Sequence, residues 1–177
     1  GKNEEVLEPK MLKTEKFKED SNSLIAPVAE DSLLRKFVEE QDNYNLTESE
    51  LDIGNKMFFS PVEGNLTAKF NFEEKHYGID VSVPSGSPIR SILDGRVLFS
   101  EWSFETGYVL VVMHNDNLIS VYKHSKQNLK SQNEFVKAGE VIAYSGNQGQ
   151  LSTGPHLHFE LWQNGLPINP EPFFKFN

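Results

Sequence analysis

From Met57 onward the chain alternates short apolar runs with turn residues. The runs span residues 88–92, 95–99, 108–113, 118–122, 136–144 and 156–162, and they are rich in Val, Ile, Leu, Phe and Tyr. Glycines at 64, 78, 86, 95, 107, 139, 146, 149, 154 and 165 punctuate them. Runs of this length and composition read as strands, and no long helical period follows Phe58. The pattern predicts a mainly β domain over 57–177, an antiparallel sheet sandwich or partly open barrel with a central groove.

The text before Met57 differs. Leu33, Leu34, Phe37 and Val38 follow Asp31 at helical spacing, predicting a short helix over 31–41 with Asp31 as N-cap. Thr47 and Glu50 fit a capping box for a further turn. The first twenty residues are mostly Lys and Glu and read as a solvated arm. Residues 1–56 are therefore expected to form an N-terminal extension of arm, short helix and loop.

Two segments carry a period of two with chemical content. In 156–162, His156, His158 and Glu160 share one face of a strand, and Leu157, Phe159 and Leu161 share the other. In 76–83, Ile79, Val81 and Val83 alternate with a face bearing His76 and Asp80. Tyr122 and His124 form a third pair two residues apart. Singly, each pair is also what a solvated sheet face or a hydrogen-bonded His–Asp pair looks like. His114, at the start of a turn, reads as structural or exposed.

Composition narrows the chemistry. The 177 residues contain 17 Lys and Arg against 26 Asp and Glu, a net charge of −9, which argues against nucleic acid as a partner. With no cysteine, disulfides, thiolate nucleophiles and Cys-ligated zinc are excluded, so any metal must be held by His and carboxylates. Two His and one Asp match the three protein ligands of a catalytic zinc site, leaving two His for proton transfer and charge stabilisation. Strand parity does not say which His is a ligand.

Three strings now stand in order: His76-x-x-x-Asp80, Tyr122-x-His124, and Gly154-Pro155-His156-Leu157-His158-Phe159-Glu160. Together they resemble the lysostaphin-type (LytM-like) zinc metalloendopeptidases that cut peptide bonds in bacterial peptidoglycan. The resemblance runs from about Phe59 to Phe174 and includes Ser87-Pro88-Ile89, Asp94-Gly95-Arg96-Val97 and Pro167-Ile168-Asn169-Pro170. It implies one zinc ion, with His76, Asp80 and His158 as its ligands and His124 and His156 as the catalytic imidazoles. Tyr122 is open between a hydrogen bond near the site and a packing role. Gln148 stands where the family often has Thr, Asn133 where a turn Gly is common, and residues 65–71 are less Gly-rich than usual.

The implied activity is hydrolysis of peptide crosslinks in peptidoglycan. The negative charge disfavours adhesion to anionic wall polymers and so points to a periplasmic setting; with what the resemblance implies, it points to stem-peptide crosslinks involving D-amino acids. The chain starts at Gly1, and a membrane anchor or export signal outside it is compatible with that start. Two other readings accompany this one. A non-catalytic relative would bind peptidoglycan or regulate a partner wall hydrolase. A latent peptidase would use residues 43–55 to cover its own cleft, and an activator or regulatory protein is compatible with either.

Overall fold

The computed structural model describes residues 56–149 and 152–177. The expected N-terminal helix over 31–41, the capping box and the covering segment 43–55 lie outside them.

Among the described residues ten strands form one antiparallel sheet: β1 (Asn65–Ala68), β2 (Gly78–Ser82), β3 (Pro88–Arg90), β4 (Gly95–Ser103), β5 (Gly107–Met113), β6 (Leu118–Asn128), β7 (Phe135–Val136), β8 (Val141–Ser145), β9 (His156–Gln163) and β10 (Leu166–Ile168). The main path runs β1-β2-β9-β6-β5-β4-β7 and does not close into a barrel. Strand β8 pairs with both β3 and β6, and β10 extends β9. Helix is confined, among the described residues, to one 3-10 turn at Glu171–Phe173, so none there is long and apolar enough to cross a membrane.

The mainly β expectation holds, with one run divided. Residues 136–144 are not a single strand. Gly139 turns the chain at φ 77°, and the Asp94 carboxylate accepts the Ala138 N–H at 2.8 Å, separating β7 from β8. Asn133 adopts φ 73°, the left-handed conformation that asparagine tolerates better than most residues and that a turn glycine would otherwise supply.

Period two sorts the side chains onto two faces. Ile79 and Val81 of β2, Leu157, Phe159 and Leu161 of β9, and Leu110 and Val112 of β5 build the larger core. Tyr77, Val109, Val111, Ile119, Val121 and Trp162 build a smaller cluster. Burying a residue such as Leu or Phe contributes about 1.5–3 kcal/mol, so these alternating positions fix the register of β2, β6 and β9.

A chain of polar groups crosses this interior. His114 Nδ1–H donates to the Asp94 carbonyl at 2.9 Å, and His114 Nε2 lies 2.8 Å from Ser120 Oγ. Ser120 Oγ is 3.1 Å from the Tyr122 hydroxyl, which accepts the Ile92 N–H at 3.3 Å. His114 is thus buried and structural. Burial pushes its pKa down to about 4 and pushes Tyr122 up to about 12.

Candidate metal and catalytic centre

Strands β2, β6 and β9 deliver the expected residues to one place. In the β2–β9 register Asp80 lies opposite His158 and Ser82 opposite His156. His76 enters from a tight turn over 71–76, where its backbone pairs with Asn71 and the Asn71 side chain accepts the N–H groups of Glu73 and Glu74. The ligand atoms of His76, Asp80 and His158 all lie within 4.8 Å of one another. His158 Nδ1 is 2.7 Å from Asp80 Oδ1, and His76 Nε2 is 3.4 Å from the same oxygen.

His156 and His124 adjoin that group. His156 Nε2 is 4.0 Å from Asp80 Oδ1, the His124 and His156 rings are 4.8 Å apart, and the His124 and His158 rings 6.1 Å. All five residues singled out from the sequence therefore sit in one cluster.

His124 reaches it by a route that alternation does not predict. Tyr122 faces the larger core and packs on Phe159 at 5.3 Å, so its role is packing and not contact with the site. Simple alternation would aim His124 the same way. Instead His124 adopts φ 64°, strained for a residue with a Cβ. Its N–H donates to the Thr106 carbonyl at 3.0 Å, and its Nδ1–H to the Gln148 carbonyl at 3.0 Å. The loop carrying Gln148 is pressed against the β4–β5 turn. A Cβ on Gly107 would lie 2.4 Å from Gln148 Cβ, and Gly149 turns at φ 93°.

Hydrogen bonds orient each ring. His76 Nδ1–H donates to the Lys69 carbonyl at 2.7 Å and His156 Nδ1–H to the Gly154 carbonyl at 2.7 Å. With His124 on Gln148, three imidazoles place Nδ1 on main-chain oxygens, which leaves Nε2 as the nitrogen not engaged by the backbone. His158 differs: its Nε2–H donates to Glu160 Oε1 at 2.9 Å, and its Nδ1 faces Asp80 Oδ1 at 2.7 Å instead of a carbonyl.

Charge states follow from these contacts. Burial alone would raise the Asp80 pKa, but the hydrogen bond from His158 and the nearby imidazoles lower it, so Asp80 is anionic at neutral pH. Burial likewise opposes a charged His158, yet its hydrogen bonds to Asp80 and Glu160 raise its pKa. Burial lowers His124 to about 4, outweighing its bond to Gln148, so its Nε2 is unprotonated at neutral pH.

Two nitrogens and one carboxylate oxygen suit zinc. Ligands ~2.0–2.1 Å from a tetrahedral ion lie roughly 3.3–3.4 Å from each other; the His76–Asp80 separation of 3.4 Å matches this, and His158 Nδ1, hydrogen-bonded to Asp80 at 2.7 Å, would have to move apart by about 0.6 Å to admit the ion. A cavity of about 380 Å³ lined by Phe59, Val62 and Arg90 includes none of the five residues.

The profile of peptidase family M23 matches residues 74–170, more than half of the chain. The chain belongs to peptidase family M23. Among M23-type relatives, the DD-carboxypeptidase/endopeptidase Mpg of Neisseria meningitidis is 38% identical over 95 residues, covering 54% of this chain and 22% of Mpg. The murein hydrolase activator NlpD of Escherichia coli is 35% identical over 112 residues, covering 62% and 29%. The chain thus matches less than a third of the length of either relative. The catalytic domain of the antimicrobial peptidase lysostaphin from Staphylococcus simulans superposes with a TM-score of 0.52 at 30% identity, covering 64% of this chain and 89% of that one. A zinc-containing peptidase from Vibrio cholerae superposes with a TM-score of 0.52 at 31% identity, covering 65% and 36%.

Sequence reasoning passed over Gly78, Lys123, and the main-chain oxygens of Lys69, Gln148 and Gly154. A Cβ at Gly78 would lie 2.4 Å from the Phe159 carbonyl and 2.9 Å from Glu160 Cγ. Its position between His76 and Asp80 was the available signal.

Proposed function

We propose that this chain is a zinc-dependent endopeptidase that hydrolyses peptide crosslinks of bacterial peptidoglycan, with residues 57–177 as the peptidase unit. The single observation that carries the reading is the convergence of His76, Asp80 and His158, their ligand atoms within 4.8 Å, beside His124 and His156. The likeness to Mpg, lysostaphin and the Vibrio cholerae peptidase supports it.

In this reading His76 Nε2, Asp80 and His158 Nδ1 hold one zinc ion. When bound, zinc supplies a Lewis acid that brings the pKa of water from ~15.7 toward ~7. The chain's own groups do the rest. His124 and His156 each commit Nδ1–H to a carbonyl, and His156 Nε2 lies 4.0 Å from Asp80 Oδ1, on the side of the cluster. One of the two takes the proton from the attacking water and passes it to the leaving amine. The other faces the oxygen on which charge develops, a contact worth roughly 2.7–4 kcal/mol. Asp80, anionic at neutral pH, reduces the net positive charge of the site. The setting is extracytoplasmic and periplasmic, in line with the murein-related name of NlpD.

Digestion of purified muropeptides with and without a chelator, read by mass spectrometry, tests the proposal. Chelator-sensitive cleavage at a peptide crosslink is expected; intact muropeptides in the presence of zinc would overturn it. The likeness to NlpD favours a second reading, that of an activator acting on a partner wall hydrolase. That reading expects no cleavage by the chain alone and faster cleavage when a wall hydrolase is added.

A further inference from the structure

Behind the cluster lies a buried charge pair that the reaction proposed above does not use. The Glu160 side chain is 3% exposed and that of Lys123 is 7% exposed. The Glu160 carboxylate accepts three hydrogen bonds. Lys123 Nζ reaches Oε1 at 2.7 Å, His158 Nε2 reaches Oε1 at 2.9 Å, and Trp162 Nε1 reaches Oε2 at 2.8 Å. Stability alone does not account for such a pair, because desolvating two charges offsets most of their attraction.

The surrounding strands are shaped around it. Lys123 of β6 lies opposite His158 of β9, and Gly78 of β2 lies opposite Glu160. A side chain at 78 would meet Glu160 Cγ at 2.9 Å and His158 Nε2 at 3.0 Å, in the path of their hydrogen bond. Trp162 occupies the second carboxylate oxygen and holds the rotamer.

Among the four imidazoles of the cluster, His158 is the one turned the other way. The other three donate Nδ1–H to neutral carbonyls; His158 lies between two carboxylates, with Nε2 on Glu160 Oε1 at 2.9 Å and Nδ1 on Asp80 Oδ1 at 2.7 Å, the oxygen with which it would share the ion. We propose that Glu160, charge-balanced by Lys123, is a positioning residue that fixes the Nε2–H tautomer of His158 and so presents its Nδ1 lone pair to an ion shared with His76 and Asp80. A carboxylate acceptor also makes the opposite nitrogen a better donor to a metal, as outer partners of metal-bound imidazoles do. Lys123 Nζ shares Oε1 with the imidazole and so holds that oxygen in place beneath His158. The inference rests on the zinc reading above.

The test uses paired substitutions that leave no orphaned charge. Lys123→Met with Glu160→Leu removes the acceptor; Lys123→Met with Glu160→Gln retains an amide oxygen for the imidazole. Zinc affinity is measured by competition with a chromophoric chelator. The His158 tautomer is read from two-bond 1H–15N correlations in the zinc-loaded parent. The expected results are Nε2–H in the parent, zinc binding ~10–100-fold weaker in the Leu pair, and recovery of most of that loss in the Gln pair. An Nδ1–H tautomer in the parent, or parent-like affinity in the Leu pair, would overturn the inference. Should the Leu pair not fold, the parent's tautomer decides. A parent that binds no zinc overturns the zinc reading and this inference together, whereas a parent that binds zinc and a Leu pair that binds it equally well overturns only the inference.

Discussion

Tyr122 and His124 are two residues apart on one strand and face opposite sides of the sheet. The Tyr122 ring packs on Phe159, while His124, at φ 64°, donates its Nδ1–H to the Gln148 carbonyl beside His156. Neighbours in an alternating pattern would share a face. Here local backbone strain moves a polar ring from one face to the other.

That division separates two substitutions. His124→Ala removes an imidazole of the proposed reaction and leaves the proposed ion-holding trio intact. Metal analysis should find zinc at the parent's level, with crosslink cleavage slowed ~10²–10⁴-fold. Tyr122→Phe should leave cleavage within a few-fold of the parent and cost about 1 kcal/mol in urea unfolding, because its hydroxyl bonds only within the core. Unchanged cleavage in His124→Ala would remove His124 from the mechanism.

His76→Ala should behave differently from His124→Ala. Zinc content and cleavage should fall together, and added zinc at high concentration should restore part of the rate. Zinc retained at full occupancy would exclude His76 as a ligand.

Gly78→Ala places a Cβ 2.4 Å from the Phe159 carbonyl oxygen, an atom of the β9 backbone that cannot rotate away. The two strands must part locally, at a cost of about 1–3 kcal/mol. Because those strands carry Asp80 and His158, zinc affinity should drop in the same variant. Paired measurements of the urea midpoint and of chelator competition check both effects.

Acid should destabilise the fold through His114. Its pKa lies near 4 in the folded protein and near 6.5 in the unfolded chain, chiefly because of burial. Between those values the unfolded chain binds the extra proton. The contribution is therefore complete above pH 6.5 and is lost as pH falls toward 4. From pH 7 to pH 4.5 the parent should lose about 2–3 kcal/mol that His114→Gln does not. Equal losses in urea unfolding at the two pH values would remove His114 as the sensor.

Much of the site was legible because β2 and β9 obey strict alternation. Ile79 and Val81, with Leu157, Phe159 and Leu161, mark the core side, which leaves Asp80, His156 and His158 on the other. Three things were not legible. The aim of His124 depends on a positive φ that no residue pattern encodes. The partnership of Lys123 with Glu160 depends on the register between β6 and β9, which joins residues 37 positions apart. The division of residues 136–144 depends on a turn at Gly139 and a carboxylate from Asp94, read there as one apolar run.

The oxygens that orient His76, His124 and His156 belong to peptide groups of Lys69, Gln148 and Gly154. Any amino acid supplies the same carbonyl, so the identity of the residue at 148 is decoupled from the aim of the ring it anchors. The side chains at these three positions can thereby be exchanged without disturbing the rings. Only a change in loop length or path, by shifting the peptide planes themselves, would swing the imidazoles out of line.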